Sequence, residues 1–337
     1  MGTKIVLDTD PGHDDAIALL LALASPEVEV LGVTSVSGNQ TLEKTTTNAL
    51  TILEFVERTD IPVHVGCDRP LVREQWAAAY VHGESGLDGP DLRDPTTKPA
   101  DGHAIDFIAE AVEENDGVVL VPVGPLTNIG LLLARYPGIE ERIARIVLMG
   151  GAIAEGNVTP AAEFNIWADP EAAHRVFTSG IDVTMVGLDV THKALLFPQK
   201  VDELREGGRV GGLVASLYDF YHGHHQRMYG WGGSPVHDAL AVAHVVSDRF
   251  LQTENRHVEV DVGPEPGRGR TYVDLWERSG KEPNCHVGVD VGLEPGRGRT
   301  YVDLWERTGK EPNCHVGVDV DGPGFIDVLV DRLKSLS

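Results

Sequence analysis

Residues 5–7 (Ile-Val-Leu) form an apolar run with no polar alternation, the pattern of a strand buried on both faces. Pro11-Gly12 break it, and from Asp14 onward the run Ala-Ile-Ala-Leu-Leu-Leu-Ala-Leu-Ala consists of good helix formers, which predicts a buried helix. The same succession repeats. Strands are predicted at 28–36, 62–66, 117–123, 145–149 and 181–186. Helices are predicted at about 41–58, 102–115, 129–135, 169–178, 199–206 and 209–228, with one more after Pro235. Strand–loop–helix units in this order predict an α/β fold: an open, mostly parallel sheet with helices on both faces, as a single domain over residues 1–337. Polar, glycine-rich segments follow successive strands and would gather along one sheet edge, where ligands bind in such folds. The stretch 67–100, rich in Gly, Pro and Asp, is long enough to read as a functional or mobile loop.

The C-terminal third departs from this pattern. Residues 257–291 align with residues 286–320 at an offset of 29, and 32 of the 35 pairs are identical. The exceptions are Glu259/Gly288, Pro264/Leu293 and Ser279/Thr308. Each unit holds an alternating strand, a glycine-rich turn and a second strand, so additional C-terminal strands are expected over about 257–320. Two copies are too few for a solenoid. One should suffice for the fold, with the extra 29 residues as a surface hairpin or loop.

Composition narrows the possible partners. Lys and Arg number 28 against 52 Asp and Glu, a formal net charge of −24, which argues against nucleic acid or an anionic membrane. The apolar run 16–24 falls short of the roughly 20 residues that span a bilayer. Cys67, Cys285 and Cys314 form no CxxC pair, and Lys4 is followed at once by an acidic motif with no secretory leader, so a cytoplasmic location is expected.

The candidate chemistry begins where the first strand meets the first helix. Asp8, Asp10, Asp14 and Asp15 crowd one turn. Helix capping would account for Asp14 or Asp15. It does not explain Asp8 and Asp10, and a hard cation with oxygen ligands is the simplest neutraliser of the set. Other polar clusters sit at strand ends: Gly38-Asn39, Leu126-Thr127-Asn128, Asn157, Glu163-Phe164-Asn165 and His237-Asp238. Asn39 and Asn157 alone read as turn formers. Alternation would put Glu163 and Asn165 on one side and Phe164 opposite. His222, His224 and His225 read as surface or core residues.

The octapeptide Asp8-Thr9-Asp10-Pro11-Gly12-His13-Asp14-Asp15 closely resembles the signature of nucleoside hydrolases of the inosine–uridine-preferring type. Gly38-Asn39, His82-Gly83, Gly124 to Asn128, Met149-Gly150-Gly151, Asn157, Glu163-Phe164-Asn165 and Val236 to Ala239 match that family in order. The resemblance runs from residue 4 to the C-terminus apart from one repeat copy. It implies Ca²⁺-dependent hydrolysis of the N-glycosidic bond of ribonucleosides to free base and ribose. Carried over by motif, Asp10, Asp15, Asp238 and the Thr127 carbonyl are the metal ligands. Asp10 is also the general base on water, and His237 assists departure of the base. Asp14, Asn39 and Asn165 are expected at the ribose hydroxyls, and Asn157 and Glu163 at the 5′-hydroxyl. His82, Met149, Phe164 and Tyr229 are expected around sugar and base. Relatives of this type are commonly homodimers or homotetramers that serve purine and pyrimidine nucleoside catabolism. Two rival readings are an aspartyl-phosphate-type phosphatase, suggested by Asp8-x-Asp10 after an apolar strand, and a metal-dependent nucleoside-binding protein without turnover.

Overall fold

In the computed structural model, which describes residues 2–288 and 316–336, the first strand has two apolar faces. Ile5 and Leu7 of β1 (Thr3–Thr9) enter one hydrophobic core and Val6 between them enters another. The same division holds for β4 (Val119–Pro122), with Val119 and Val121 on one side and Leu120 on the other, and for β5 (Arg145–Met149). A strand with both faces apolar has to be covered twice.

The remaining elements provide that cover. In chain order they are α1 (His13–Ala24), β2 (Val28–Ser35), α2 (Leu42–Phe55), β3 (Val63–Val65), α3 (Ala79–His82), α4 (Ala104–Glu114), α5 (Thr127–Arg135), α6 (Phe164–Ala168), α7 (Pro170–Phe177), β6 (Val183–Val186), α8 (Leu188–Thr191), β7 (Leu195–Leu196), α9 (Pro198–Arg205), α10 (Gly208–Tyr229), β8 (Ser234–Pro235), α11 (His237–Val246), β9 (Leu251–Val260), β10 (Thr271–Asp274), β11 (Cys285–Gly288), β12 (Val316–Val320) and α12 (Gly322–Ser335). Helices α1, α2, α10, α11 and α12 cover one face, and α4, α5 and α7 the other. Helix α1 is buried continuously from His13 to Ala22, which is why its sequence is apolar all round.

The large sheet runs β10-β9-β11-β6-β5-β4-β1-β2-β3, with β12 also paired to β9. Strands β3, β2, β1, β4, β5, β6 and β11 are parallel, and β9 is antiparallel to β11 and β10. From β1 the chain builds outward to β2 and β3 on one side, then returns to add β4, β5 and β6 on the other. The β1/β4 boundary is therefore a topological switch point, with the loops after both strands opening at the carboxyl edge. The open, mostly parallel sheet expected from the sequence is the fold observed.

The repeat meets the sheet in an unusual way. Val287 of β11 and Val316 of β12, equivalent positions of the two copies, are both in register with Glu254. Strand β11 runs along β9 as far as Thr253, and β12 pairs from Glu254 to Leu251 and leads into α12. The expected extra hairpin or loop falls on residues 289–315, outside the described residues.

Candidate active site

The loop after β1 turns tightly because its carboxylates bind main chain. Asp15 Oδ2 accepts from Gly12 N at 2.9 Å and from Asn39 Nδ2 at 3.0 Å, and Asp15 Oδ1 accepts from Thr9 Oγ1 at 2.6 Å. Asp15 thus has the capping role that one carboxylate in a first turn is expected to fill. Asp10 has a different environment. Its Oδ2 accepts from Asn39 N at 2.6 Å, while its Oδ1 is buried and meets no partner. A Cβ on Gly38 would lie 2.1 Å from Oδ2 and one on Gly124 2.4 Å from Oδ1. The loops after β2 and β4 need glycine at these positions because the Asp10 carboxylate fills the space.

Carboxylate oxygens of Asp14, Asp15 and Asp238 all lie within 4.8 Å of one another, and all three residues are buried. Asp238 comes from the first turn of α11, far along the chain. Burial, and then the Asp15 charge, push the Asp14 carboxyl up to about 8. Asp10 and Asp238 are raised well above the carboxylate range, by burial first and then by neighbouring carboxylates. Asp8 is pushed up to about 7 by burial against hydrogen bonds from Asn128 and Thr34, and its Oδ2 also has no partner. Buried carboxylates this close cannot all ionise without a compensating positive charge. Among the described residues, no Lys or Arg lines the adjoining cavity. The unpartnered Asp10 Oδ1 and the three-carboxylate cluster whose charges act on Asp10 fit a divalent cation with oxygen ligands. The closest geometric set contains Asp14 where the motif carry-over names Asp10. Thr127, in the first turn of α5, is buried with its hydroxyl bound to Asp169 at 2.8 Å, and is not among the cavity residues.

The cavity beside the cluster measures about 290 Å³. Asp14, Asn39, His82, Met149, Asn157, Glu163, Phe164, Asn165, Tyr229, His237 and Asp238 all line it. Three of these side chains have their remaining atoms fixed from behind. Asn165 Nδ2 donates to the carbonyls of Val123 and Met149, which leaves Oδ1 for a ligand. Asn157 Oδ1 accepts from Phe164 N, which leaves its amide NH₂. Glu163 accepts from the main-chain N–H groups of Gly151, Asn165 and Ile166, while burial pushes its carboxyl up to about 7. This corrects the alternation expected for Glu163-Phe164-Asn165. Glu163 is the N-cap of α6, the segment is helical, and Phe164 faces the cavity with its polar neighbours.

The other end is walled by rings. His82 and His237 are joined there by His192, Tyr221, His224, His225 and Trp231. His225 stacks on Trp231 at 5.7 Å, Trp231 on Tyr229 at 4.7 Å, and His192 packs edge-on against His237 at 5.6 Å. His224 and His225, expected as surface or core residues, are buried and line the cavity. The spacing Tyr221, His224, His225 along α10 is that of one helix face, a signal for this wall that was present in the sequence. Nothing comparable marks His192 at the end of α8. Burial lowers His82 and His237 well below the histidine range and brings His192 and His225 down to about 4.

The profile of the inosine-uridine preferring nucleoside hydrolases matches residues 5–294. The pyrimidine-specific ribonucleoside hydrolase RihA of Escherichia coli O8 is 45% identical over 337 residues, covering 99% of each chain. Among solved structures, a purine-preferring ribonucleoside hydrolase from Gardnerella vaginalis superposes with a TM-score of 0.84 at 33% identity, over 99% of this chain and 98% of that one. A plant nucleoside hydrolase superposes with a TM-score of 0.85 at 31% identity, over 99% and 100%. These relationships favour a nucleoside hydrolase over an aspartyl-phosphate-type phosphatase. The chain belongs to the inosine–uridine-preferring nucleoside hydrolase family and is a ribonucleoside hydrolase acting on N-glycosyl bonds.

Proposed function

We propose that this hydrolase is Ca²⁺-dependent, uses Asp10 as general base, and prefers pyrimidine ribonucleosides. The observation that carries the reading is the buried carboxylate cluster with the unpartnered Asp10 Oδ1 beside it, at one end of a cavity whose other end is a wall of aromatic rings and imidazoles. Asp10, Asp15 and Asp238, with the Thr127 carbonyl, would hold the ion, and Asp14 lies close enough to share it or to bind the ribose 2′-hydroxyl. Oxygen-only donors with several buried carboxylates suit Ca²⁺ better than Mg²⁺, which keeps more of its waters. When bound, the ion supplies Lewis-acid polarisation of water and of the ribose hydroxyls.

The protein groups do the rest. Asp14, Asn39 and Asn165 bind the ribose hydroxyls, Asn165 through the Oδ1 left free by its own hydrogen bonds. Asn157 and Glu163 hold the 5′-hydroxyl. Asp10 takes one proton from the attacking water as its oxygen bonds to C1′. The C1′–N bond breaks with its electron pair on the base, through a transition state resembling an oxocarbenium ion. His82 and His237 face the departing base, and Met149, Phe164 and Tyr229 pack around sugar and base. No side chain in the cavity is placed by this reading as a covalent nucleophile.

The preference for pyrimidines rests on the 45% identity to a relative named pyrimidine-specific, against 33% to one named purine-preferring. Homo-oligomeric assembly and a cytoplasmic location belong to the same reading. Ribose released from uridine, cytidine, inosine and adenosine, with chelator and after adding back Ca²⁺ or Mg²⁺, tests it. Chelator-sensitive release, restored by Ca²⁺ and fastest on uridine and cytidine, is expected. Release that survives exhaustive chelation overturns the metal dependence, and faster inosine turnover overturns the preference.

A further inference from the structure

Thr191, the last residue of α8, is fully buried. Its Oγ1 lies 2.7 Å from Nδ1 of His237, and no other hydrogen-bond partner of this hydroxyl occurs among the described residues. Its main-chain N–H and C=O are used elsewhere, by Gly187 O and Ala194 N. The neighbouring ring, His192, packs edge-on against His237 and offers Oγ1 no acceptor.

This arrangement decides which atom carries the proton. Were Nδ1–H the donor, the Thr191 hydroxyl hydrogen would be enclosed with no acceptor, an arrangement folded proteins avoid. With the hydroxyl donating, Nδ1 is the acceptor, and a neutral imidazole then carries its hydrogen on Nε2. No hydrogen bond to Nε2 occurs among the described residues, and the ring lines the cavity.

We propose that Thr191 is a positioning residue that holds His237 in the Nε2–H form, so that the enzyme presents the leaving base with a neutral hydrogen-bond donor. The inference rests on the reading above that His237 faces the departing base, and it makes that role more specific. As the C1′–N bond breaks, its electron pair spreads over the base, in a pyrimidine onto N1 and O2. Nε2–H stabilises that charge by a hydrogen bond. It does not transfer the proton, because a neutral imidazole that lost it would become an imidazolate. Water supplies the oxygen that bonds to C1′ and one proton that goes to Asp10. The released base takes its proton from solvent, and Asp10 returns its proton to solvent, so the balance closes. A Thr hydroxyl in this position also prevents the ring from flipping without breaking a buried hydrogen bond.

The test compares Thr191→Val, which keeps the branched shape and loses the hydroxyl, with Thr191→Ser, which keeps the hydroxyl. Both are assayed at saturating Ca²⁺ on uridine and on a riboside with a nitrophenolate leaving group, which departs without a donor. T191V should lower kcat on uridine about tenfold with KM changed less than about twofold, leave the nitrophenyl riboside within about twofold, and be rescued by T191S. In a His237→Phe background, T191V should have no further effect. Equal losses on both substrates, no loss on uridine, or a loss that persists in the His237→Phe background would each overturn the proposal. The ¹⁵N shifts of the His237 ring in the unaltered protein provide an independent reading, and an Nδ1–H form there overturns it without any variant. A wild-type enzyme with Ca²⁺ that releases no ribose from any nucleoside would instead remove the reading on which the inference stands.

Discussion

The two ends of the cavity are made in opposite ways. The carboxylate end comes largely from one octapeptide, with Asp238 added from α11, and its geometry is set by main-chain donors, Asn39 and two glycines. The ring-lined end is collected from α3, α8, α10, α11 and the loop at Trp231. Its members touch by stacking and edge contacts, and several are also held by hydrogen bonds: His82 Nδ1 accepts from His13 N, His225 Nδ1 meets the Tyr221 carbonyl, and His237 Nδ1 meets the Thr191 hydroxyl. A hydrogen-bonded carboxylate has little freedom to move, whereas stacked rings slide at small cost. On the proposed reading, the carboxylate end does the chemistry common to every nucleoside, and the ring-lined end meets the base.

Substitution at Asp10 is the largest expected effect and the most direct way to break this division. Asp10→Ala removes the proposed base and an oxygen from the cation site, so kcat should fall by at least about 10³-fold. The loss should be equally deep on uridine and on the nitrophenyl riboside, since it precedes any question of leaving group. Calorimetric Ca²⁺ titration of the same variant should show weakened binding. An Asp10→Ala enzyme that spared the activated substrate would put Asp10 on the leaving-group side and erase the contrast between the ends.

Next comes the response of stability to pH. Asp14 is held up to about 8 in the folded chain, and Asp10 and Asp238 are also raised, in each case by burial before any neighbour. A group with a raised folded pKa keeps its proton longer in the native state than in the unfolded chain. Without a cation, stability therefore falls as pH rises towards those values. Below about 6.5 the buried histidines act in the opposite sense, because His192 and His225 near 4 make the unfolded chain the better proton binder there. The clean window is pH 6.5 to 8.5. In chelator, Tm should drop across it by several degrees, and saturating Ca²⁺ should flatten the curve. A Tm in chelator that stays level through this window would mean the carboxylates are already compensated without an ion.

The same contrast explains what could be read from the sequence. A contiguous strand–turn–helix segment carries its own geometry, so the crowding of Asp8, Asp10, Asp14 and Asp15 was visible before any fold was known. The parallel sheet was visible for a related reason: strands covered on both faces are continuously apolar, as residues 5–7 are. The ring-lined end was less legible. His192 gains its place only because β6 lies beside β5 and delivers α8 to the cavity, and Trp231 only because α10 ends there. Glu163 lines the cavity, but alternation is not the local reason. Its capping of α6, with the N–H groups of Asn165 and Ile166 as donors, cannot be told from alternation over three residues.

The smallest expected effect concerns the repeat, which touches the ring-lined end from behind. Gly288 of β11 packs so closely on α8 that a Cβ there would lie 2.7 Å from Val190 Cγ2, one residue before Thr191. The slot beside β9 thus supports the helix that positions His237, and it is filled by Cys285–Gly288 and then by the end of the second copy. Deleting residues 287–315 would join His286 to Val316 and restore Cys-His-Val-Gly-Val-Asp-Val as one unbroken strand running into α12, in a chain of 308 residues. Because the restored strand presents the same side chains to Val190, kcat on uridine should stay within about twofold and Tm should hold or rise by a few degrees. A many-fold gain in kcat, confined to nucleosides and absent on the nitrophenyl riboside, would mean that the second copy displaces α8 and loosens the Thr191–His237 contact. A loss on both substrates would make the repeat part of the structure that holds the carboxylate end as well, and the two ends would then share one support.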